Sequence, residues 1–174
     1  QLKVPTKMAP QELFKTVFRF AGLQWTEKGD LAIYRESDRP TRKSRTYLMN
    51  FASTDAKPRL LFDLLSEDRY NNPGEFVTTT NKSGHSVLQT SSDGQSFYLR
   101  GQGASAQGER PFLRKLDINT LKTVELFRSQ NPYYESVIEV LDADAKRFLT
   151  SRESVNDPPN YFLRQQGQAT AKAL

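Results

Sequence analysis

No cysteine occurs in the 174 residues, so disulfides, thiolate metal sites and a cysteine nucleophile are all excluded. Histidine occurs once, as His85, which leaves little scope for general-base or imidazole-ligand chemistry. No apolar run approaches the ~18 residues that a helical membrane span requires. The start, Gln1-Leu2-Lys3-Val4-Pro5, has neither Met nor an apolar signal core and reads as the inside of a longer protein. Helical periodicity over any long stretch is also missing. Net charge is a mild +5 and mostly scattered. Aromatics interleaved with the basic residues for base stacking are absent, so neither nucleic acid nor a membrane is expected as a partner.

What is present is a supply of core-forming rings, 11 Phe, 7 Tyr and 1 Trp, enough to support a packed domain despite low apolar usage. Short β-type runs alternate with Gly, Asn, Asp, Ser and Pro clusters, the pattern of an all-β chain. An edge strand is expected at Leu13–Thr16. Strands follow at Leu23–Trp25, Leu31–Arg35, Thr46–Phe51 and Arg59–Leu64, with a polar loop over Glu36–Ser44. The order then recurs at Glu75–Thr79, Ser86–Thr90, Phe97–Arg100, Pro111–Leu116 and Lys122–Phe127. A third copy begins with Ser136–Leu141, Arg147–Arg152 and Tyr161–Arg164, and the chain stops where its fourth strand would be starting.

The repeat is roughly 50–65 residues, nearer the kelch period than the WD40 period. It predicts a partial β-propeller of about three antiparallel four-stranded blades, with a β-sandwich as the alternative. The divisions are 1–22, a leading segment with an edge strand; 23–72, a blade; 73–132, a blade; and 133–174, a truncated blade. A partial ring leaves strand edges open. The expectation is therefore self-association, or pairing of Leu13–Thr16 with the truncated blade.

Candidate sites are few. His85 lies in a turn region beside Ser83 and Ser86, with no orienting carboxylate or nucleophile elbow at a useful spacing. No Gly-x-Ser-x-Gly occurs. Gly101-Gln102-Gly103-Ala104-Ser105-Ala106 fits a dinucleotide pattern, but Gln107–Pro111 does not open the helix that pattern needs, so a flexible inter-strand loop is expected. Asp142-Ala143-Asp144 lacks the Gly and the distant Glu of a Ca²⁺ loop and reads as a hairpin turn. Arg39, Arg42, Lys43 and Arg45 form the one basic cluster, read as a solvated loop with partner binding as the alternative. Asn81-Lys82-Ser83 is a glycosylation sequon, meaningful only in a secreted eukaryotic protein. No cofactor is implied.

Several stretches are more specific than a generic blade. They are Phe18–Trp25, Asp68-Arg69-Tyr70, Leu99–Ser105 followed by Gly108–Leu113, Tyr133-Tyr134-Glu135, and Phe148–Ser154 followed by Asp157–Arg164. In this order they resemble the propeller portion of the glutamyl endopeptidase group of the prolyl oligopeptidase family of serine peptidases, from about Glu12 onward. The resemblance implies a parent that hydrolyses peptides after Glu. Its Ser, His and Asp would lie downstream in a hydrolase domain, and its propeller would gate access to them. The partners implied are a peptide substrate and that hydrolase domain, and this segment alone would not be catalytic. Arg152 is the candidate contact for either one, because a guanidinium offers a two-pronged fork to a carboxylate; the alternative is an ion pair with Glu153 or another neighbour inside the blade. A stand-alone protein-binding module, or a periplasmic carbohydrate-binding or scaffold propeller, remains open, as does a cytoplasmic or periplasmic location.

Overall fold

The structure is a computed structural model, and it describes residues 12, 14–53 and 56–174. Every regular element among them is a β-strand. The first sheet takes its strands in chain order: β1 (Arg19–Trp25), β2 (Leu31–Asp38), β3 (Lys43–Asn50) and β4 (Arg59–Leu65). The second is assembled from β5 (Glu75–Phe76), with a hairpin of β6 (Thr78–Thr80) and β7 (Ser86–Leu88) following it, then β8 (Ser96–Gly101). A short hairpin of β9 (Ala104–Ser105) and β10 (Gly108–Glu109) precedes β11 (Phe112–Asp117) and β12 (Thr123–Arg128), giving the order β5-β8-β11-β12. The third sheet is β13 (Tyr134–Val140), β14 (Arg147–Glu153), β15 (Asn160–Gln165) and a two-residue β16 (Lys172–Ala173). Neighbouring strands in all three sheets are antiparallel. The chain is a partial β-propeller of three four-stranded blades.

Side-chain alternation on β8 is what lets the middle blade serve two neighbours. Successive strand residues point to opposite faces. Phe97 and Leu99 therefore join Ile33 and Leu48 of the first blade and Leu116 of β11 in one core. Tyr98, between them, joins Leu113 and, from the third blade, Val137, Val140 and Phe148 in another. Phe97, Tyr98 and Leu99 are all essentially inaccessible.

The turn from first to second strand is built the same way in each blade. Thr26, Ser91 and Asp142 open it, and their carbonyls accept the N–H of Gly29, Gly94 and Ala145 at 3.0, 2.8 and 3.0 Å. Those three residues sit at φ +69°, +70° and +53°, the left-handed region that favours glycine. The third blade places an alanine there. Its methyl is fully buried in the core shared with the middle blade, which offsets the strain.

Two expectations are corrected. The edge strand at Leu13–Thr16 is not seen: Leu13 is outside the described residues, and Phe14–Thr16 are in no strand. Side chains hold this region instead. Phe14 stacks on Tyr34 at 4.5 Å, and the N–H groups of Val17 and Phe18 donate to the Glu36 carboxylate at 2.9 and 3.2 Å. The first ladder strand is β1. The loop at Glu36–Ser44 shrinks to residues 39–42, because Glu36 is a buried strand residue whose charge is satisfied by those donors and by the Tyr47 hydroxyl.

Candidate functional site

Between the second and third blades a buried carboxylate, two arginines and a cavity come together. On the face of the third blade turned toward the second, period-two alternation aligns Glu135 and Val137 of β13, Phe148, Thr150 and Arg152 of β14, and Phe162 and Arg164 of β15. Glu135 is 3% exposed. Arg164 forks onto it with two hydrogen bonds of 2.7 Å, and the Thr150 hydroxyl donates a third at 2.6 Å. A carboxylate buried this deeply is tolerated because it is paired and its oxygens are bonded. Arg164 also lies over the Phe127 ring, 4.9 Å from its centroid.

Arg152 occupies the end of the same face. Its guanidinium sits 3.8 Å from the Phe162 ring centroid and 4.4 Å from that of Tyr133. Among the described residues it forms no ion pair, so in place of the alternative, a pairing with Glu153 or another blade neighbour, there is aromatic stacking. Stacking fixes the plane of the guanidinium and leaves its N–H edge as the part that can meet a carboxylate. Tyr133, Glu135 and Arg164 also line an open cavity of about 410 Å³, to which the second blade contributes Leu126, Phe127 and Arg128.

The other candidates separate. His85 is exposed, and its backbone N–H donates to Asn81 Oδ1 at 2.9 Å as part of the β6–β7 turn. The sequon's Asn81 carboxamide also accepts the Ser83 N–H, so it shapes that turn. The glycine-rich segment opens no helix. It forms the β9–β10 hairpin in place of a flexible loop. Gly103 permits this, because a Cβ there would lie 2.1 Å from the Arg110 carbonyl oxygen. Asp142 accepts the Lys146 and Arg147 N–H groups at 2.8 and 3.0 Å as a turn residue should. Asp144 reaches across to the middle blade, accepting the Ser92 N–H at 3.1 Å and its hydroxyl at 2.8 Å. These bonds hold the Asp144 carboxyl below the ordinary aspartate range. The basic cluster divides: Arg39 and Arg42 lie in the turn, and Lys43 and Arg45 lie on β3. Arg42 pairs with Glu67 and Arg45 with Asp63 at 3.0 Å, so two of the four charges are already answered.

Nothing local in the sequence distinguishes Glu135, Tyr133, Phe162 and Arg164 from other residues of the blade. The available signal was the alternation itself, which sets Arg152 in phase with the apolar Phe148.

No protein-family model matches the chain. Among curated proteins it is similar to a probable chloroplastic glutamyl endopeptidase of Arabidopsis thaliana, 33% identical over 168 residues, covering 89% of this chain and 17% of that protein. A protein of the same description from Oryza sativa subsp. japonica is 33% identical over 167 residues, covering 89% of this chain and 18% of the relative. The chain thus spans less than a fifth of the length of the curated relatives it matches. Among solved structures, TolB from Acinetobacter baumannii superposes with a TM-score of 0.51 at 14% identity, covering 95% of this chain and 34% of that one, a likeness of fold alone. Three four-stranded blades and a sequence match running along nearly the whole chain support its identification as a propeller portion of a peptidase of the prolyl oligopeptidase family, similar to the glutamyl endopeptidases.

Proposed function

We propose that this propeller segment restricts access to the active site of a serine peptidase that cleaves after Glu, with the attacking Ser, its His and its Asp supplied by another part of the polypeptide. The observation that carries this reading is the 33% identity to glutamyl endopeptidases across 89% of the chain. The physical logic is exclusion: an opening too narrow for a folded domain of ~26 Å, twice the radius of gyration of about 100 residues, admits only short or unfolded peptides. The isolated chain should hydrolyse nothing. Its open strand edges support self-association, and sedimentation as a strict monomer would retire that part.

Within this reading Arg152 meets a carboxylate, either that of the substrate Glu or one on the hydrolase domain. Its stacked and ion-unpaired state supports the assignment. The test is kcat/KM of the full-length parent on matched peptides carrying Glu or Gln before the scissile bond. Arg152→Ala should lower cleavage after Glu by about tenfold to a hundredfold, the worth of a hydrogen bond to a charged group, and leave the Gln peptide less affected. Equal losses on both peptides would point to domain docking. Unchanged cleavage after Glu would retire the substrate role.

A further inference from the structure

The first strand of the middle blade is made from two separate pieces of chain. Along β8, Arg100 pairs with Glu75 and Leu99 with Phe76, and the Tyr98 carbonyl accepts the Val77 N–H at 2.9 Å. The next residue, Phe97, pairs with Thr90 rather than Thr78, and the Ser96 carbonyl accepts the Ser91 N–H at 3.0 Å. The splice is closed by Gln89, whose N–H donates to the Val77 carbonyl at 3.0 Å. Residues 78–88 therefore leave the ladder and return to it as the β6–β7 hairpin. The corresponding strands β1 and β13 carry only a local register shift, between Phe20 and Gly22 and between Val137 and Glu139.

This splice faces the side on which the blades converge. There, Thr26 of the first blade and Leu88 form a parallel backbone bridge. At the opposite margin the first two blades are joined by the reach of a long side chain, Arg59 donating to the Ile118 and Asn119 carbonyls at 2.8 and 2.6 Å. Margins that meet backbone to backbone are the narrow ends of the wedges. The hairpin is thus an outgrowth on the axis side.

Its root is fixed and its arm is free. Val87 and Leu88 are buried, whereas Thr78–Thr80 and Lys82–Ser86 are exposed. Asn81 closes the tip, accepting the Ser83 and His85 N–H groups at 3.0 and 2.9 Å and donating its own N–H to the His85 carbonyl at 2.9 Å. The exposed residues are Thr, Lys, Ser, Gly and His, none of which gains from burial, and each non-glycine side chain among them can hydrogen-bond to a passing polypeptide. At about 3.3 Å per residue the arm reaches roughly 15 Å, more than the ~10 Å thickness of a packed sheet.

We infer that the 78–88 hairpin is a size-selecting arm that narrows the axial opening and thereby sets how bulky a peptide reaches the peptidase centre. This rests on the access-restricting role given above and names the element that performs it.

The test uses the full-length parent. Thr79 and Val87 are already cross-strand partners. Replacing Thr80–Ser86 with Asn-Gly closes the same pair with a two-residue turn and keeps buried Val87 and Leu88. A second variant combines Lys82→Trp and Ser83→Trp to enlarge the tip. Hydrolysis is followed on a short Glu peptide, on longer unfolded polypeptides and on a folded Glu-rich domain. The trimmed hairpin should leave the short peptide unchanged and raise turnover of the bulkier substrates several-fold, and the Trp tip should lower it several-fold. If trimming prevents folding, the Trp variant decides alone. A size limit identical in parent and variants, with short-peptide cleavage intact, overturns the arm and spares the peptidase reading. A parent that cleaves no Glu peptide overturns both.

Discussion

The two wedges of this molecule are filled in opposite ways. Between the first and second blades the filling is dry: Ile33, Leu48, Phe76, Leu88, Phe97, Leu99, Leu116 and Ile118 form one apolar cluster, and the polar links of Arg59 to the Ile118 and Asn119 carbonyls and of Arg35 to Glu75 at 2.7 Å lie outside it, toward solvent. Between the second and third blades a smaller apolar cluster is supplemented by directional bonds. The Tyr98 hydroxyl donates to the Ala143 carbonyl at 2.8 Å, Gln89 to the Asp142 carbonyl at 2.9 Å, and Arg100 to the Val137 and Ile138 carbonyls. Burial of area is tolerant of small shifts, whereas hydrogen bonds fix register and angle. The polar wedge is also the one that holds the Glu135–Arg164 pair, the stacked Arg152 and the 410 Å³ cavity. The dry wedge fixes two blades together. The polar wedge shapes a site.

The largest test of this contrast is Phe97→Ala. Phe97 is 1% exposed and central to the dry wedge, so its loss should cost about 3–5 kcal/mol, read as a lowered urea midpoint of the chain. A loss under 1 kcal/mol would mean that the first two blades are not held by packing. Nearly as large an effect is expected in the polar wedge from Glu135→Leu. It strands the Arg164 guanidinium and should cost about 3–5 kcal/mol. Pairing it with Arg164→Met removes both charges and should recover most of that loss. A double mutant no better than the single would show that the pair contributes more than mutual neutralisation.

The strands were legible because alternation and turn chemistry are local. The pattern bounds Arg147–Arg152 to within one residue of β14, and local glycines such as Gly29 and Gly94 sit at the turns between strands, at positive φ. Features that depend on a distant partner were not legible. Glu36 reads as loop because a lone carboxylate is normally solvated; only the arrival of the Val17 and Phe18 N–H groups makes it a strand residue. Glu75–Thr79 and Ser86–Thr90 read as consecutive strands, and nothing in either segment says that β8 would splice them into one edge. Arg152 was recognised as a functional candidate, yet its aromatic sandwich needs Tyr133 and Phe162 brought in from two other parts of the blade.

A smaller effect should come from Tyr98→Phe, next in sequence to Phe97 but facing the other way. It deletes a single hydrogen bond, and should cost about 1 kcal/mol near neutral pH. Burial, helped by the nearby Asp144, pushes the Tyr98 hydroxyl well above the ordinary tyrosine range. A raised native pKa adds stability that is complete below the unfolded value, about 10, and is lost as pH rises beyond it. Denaturant midpoints measured at neutral and alkaline pH should therefore converge for wild type and Tyr98→Phe as pH increases. A constant gap would show that the hydroxyl stays out of the titration.

The smallest expected effect is also the most selective between the wedges. The Ser92 N–H and hydroxyl hold the Asp144 carboxyl below its ordinary range, which couples the turns of the second and third blades to acid. A lowered native pKa adds stability that is present above the unfolded value, about 3.9, and disappears as pH falls through the native one. Asp144→Asn removes this proton linkage and should flatten the acid limb of the midpoint-against-pH curve. Ser92→Ala should flatten it partly, because it deletes the hydroxyl and keeps the N–H. Asp68, Asp93, Asp117 and Glu125, each lowered by its own hydrogen bonds, supply the slope that remains. Phe97→Ala shifts the whole curve without changing that slope, since the apolar cluster around it contains no titrating group. If Phe97→Ala altered the acid slope as strongly as Asp144→Asn, the two wedges would be one cooperative unit, and the distinction between a dry contact and a polar one would carry no energetic meaning.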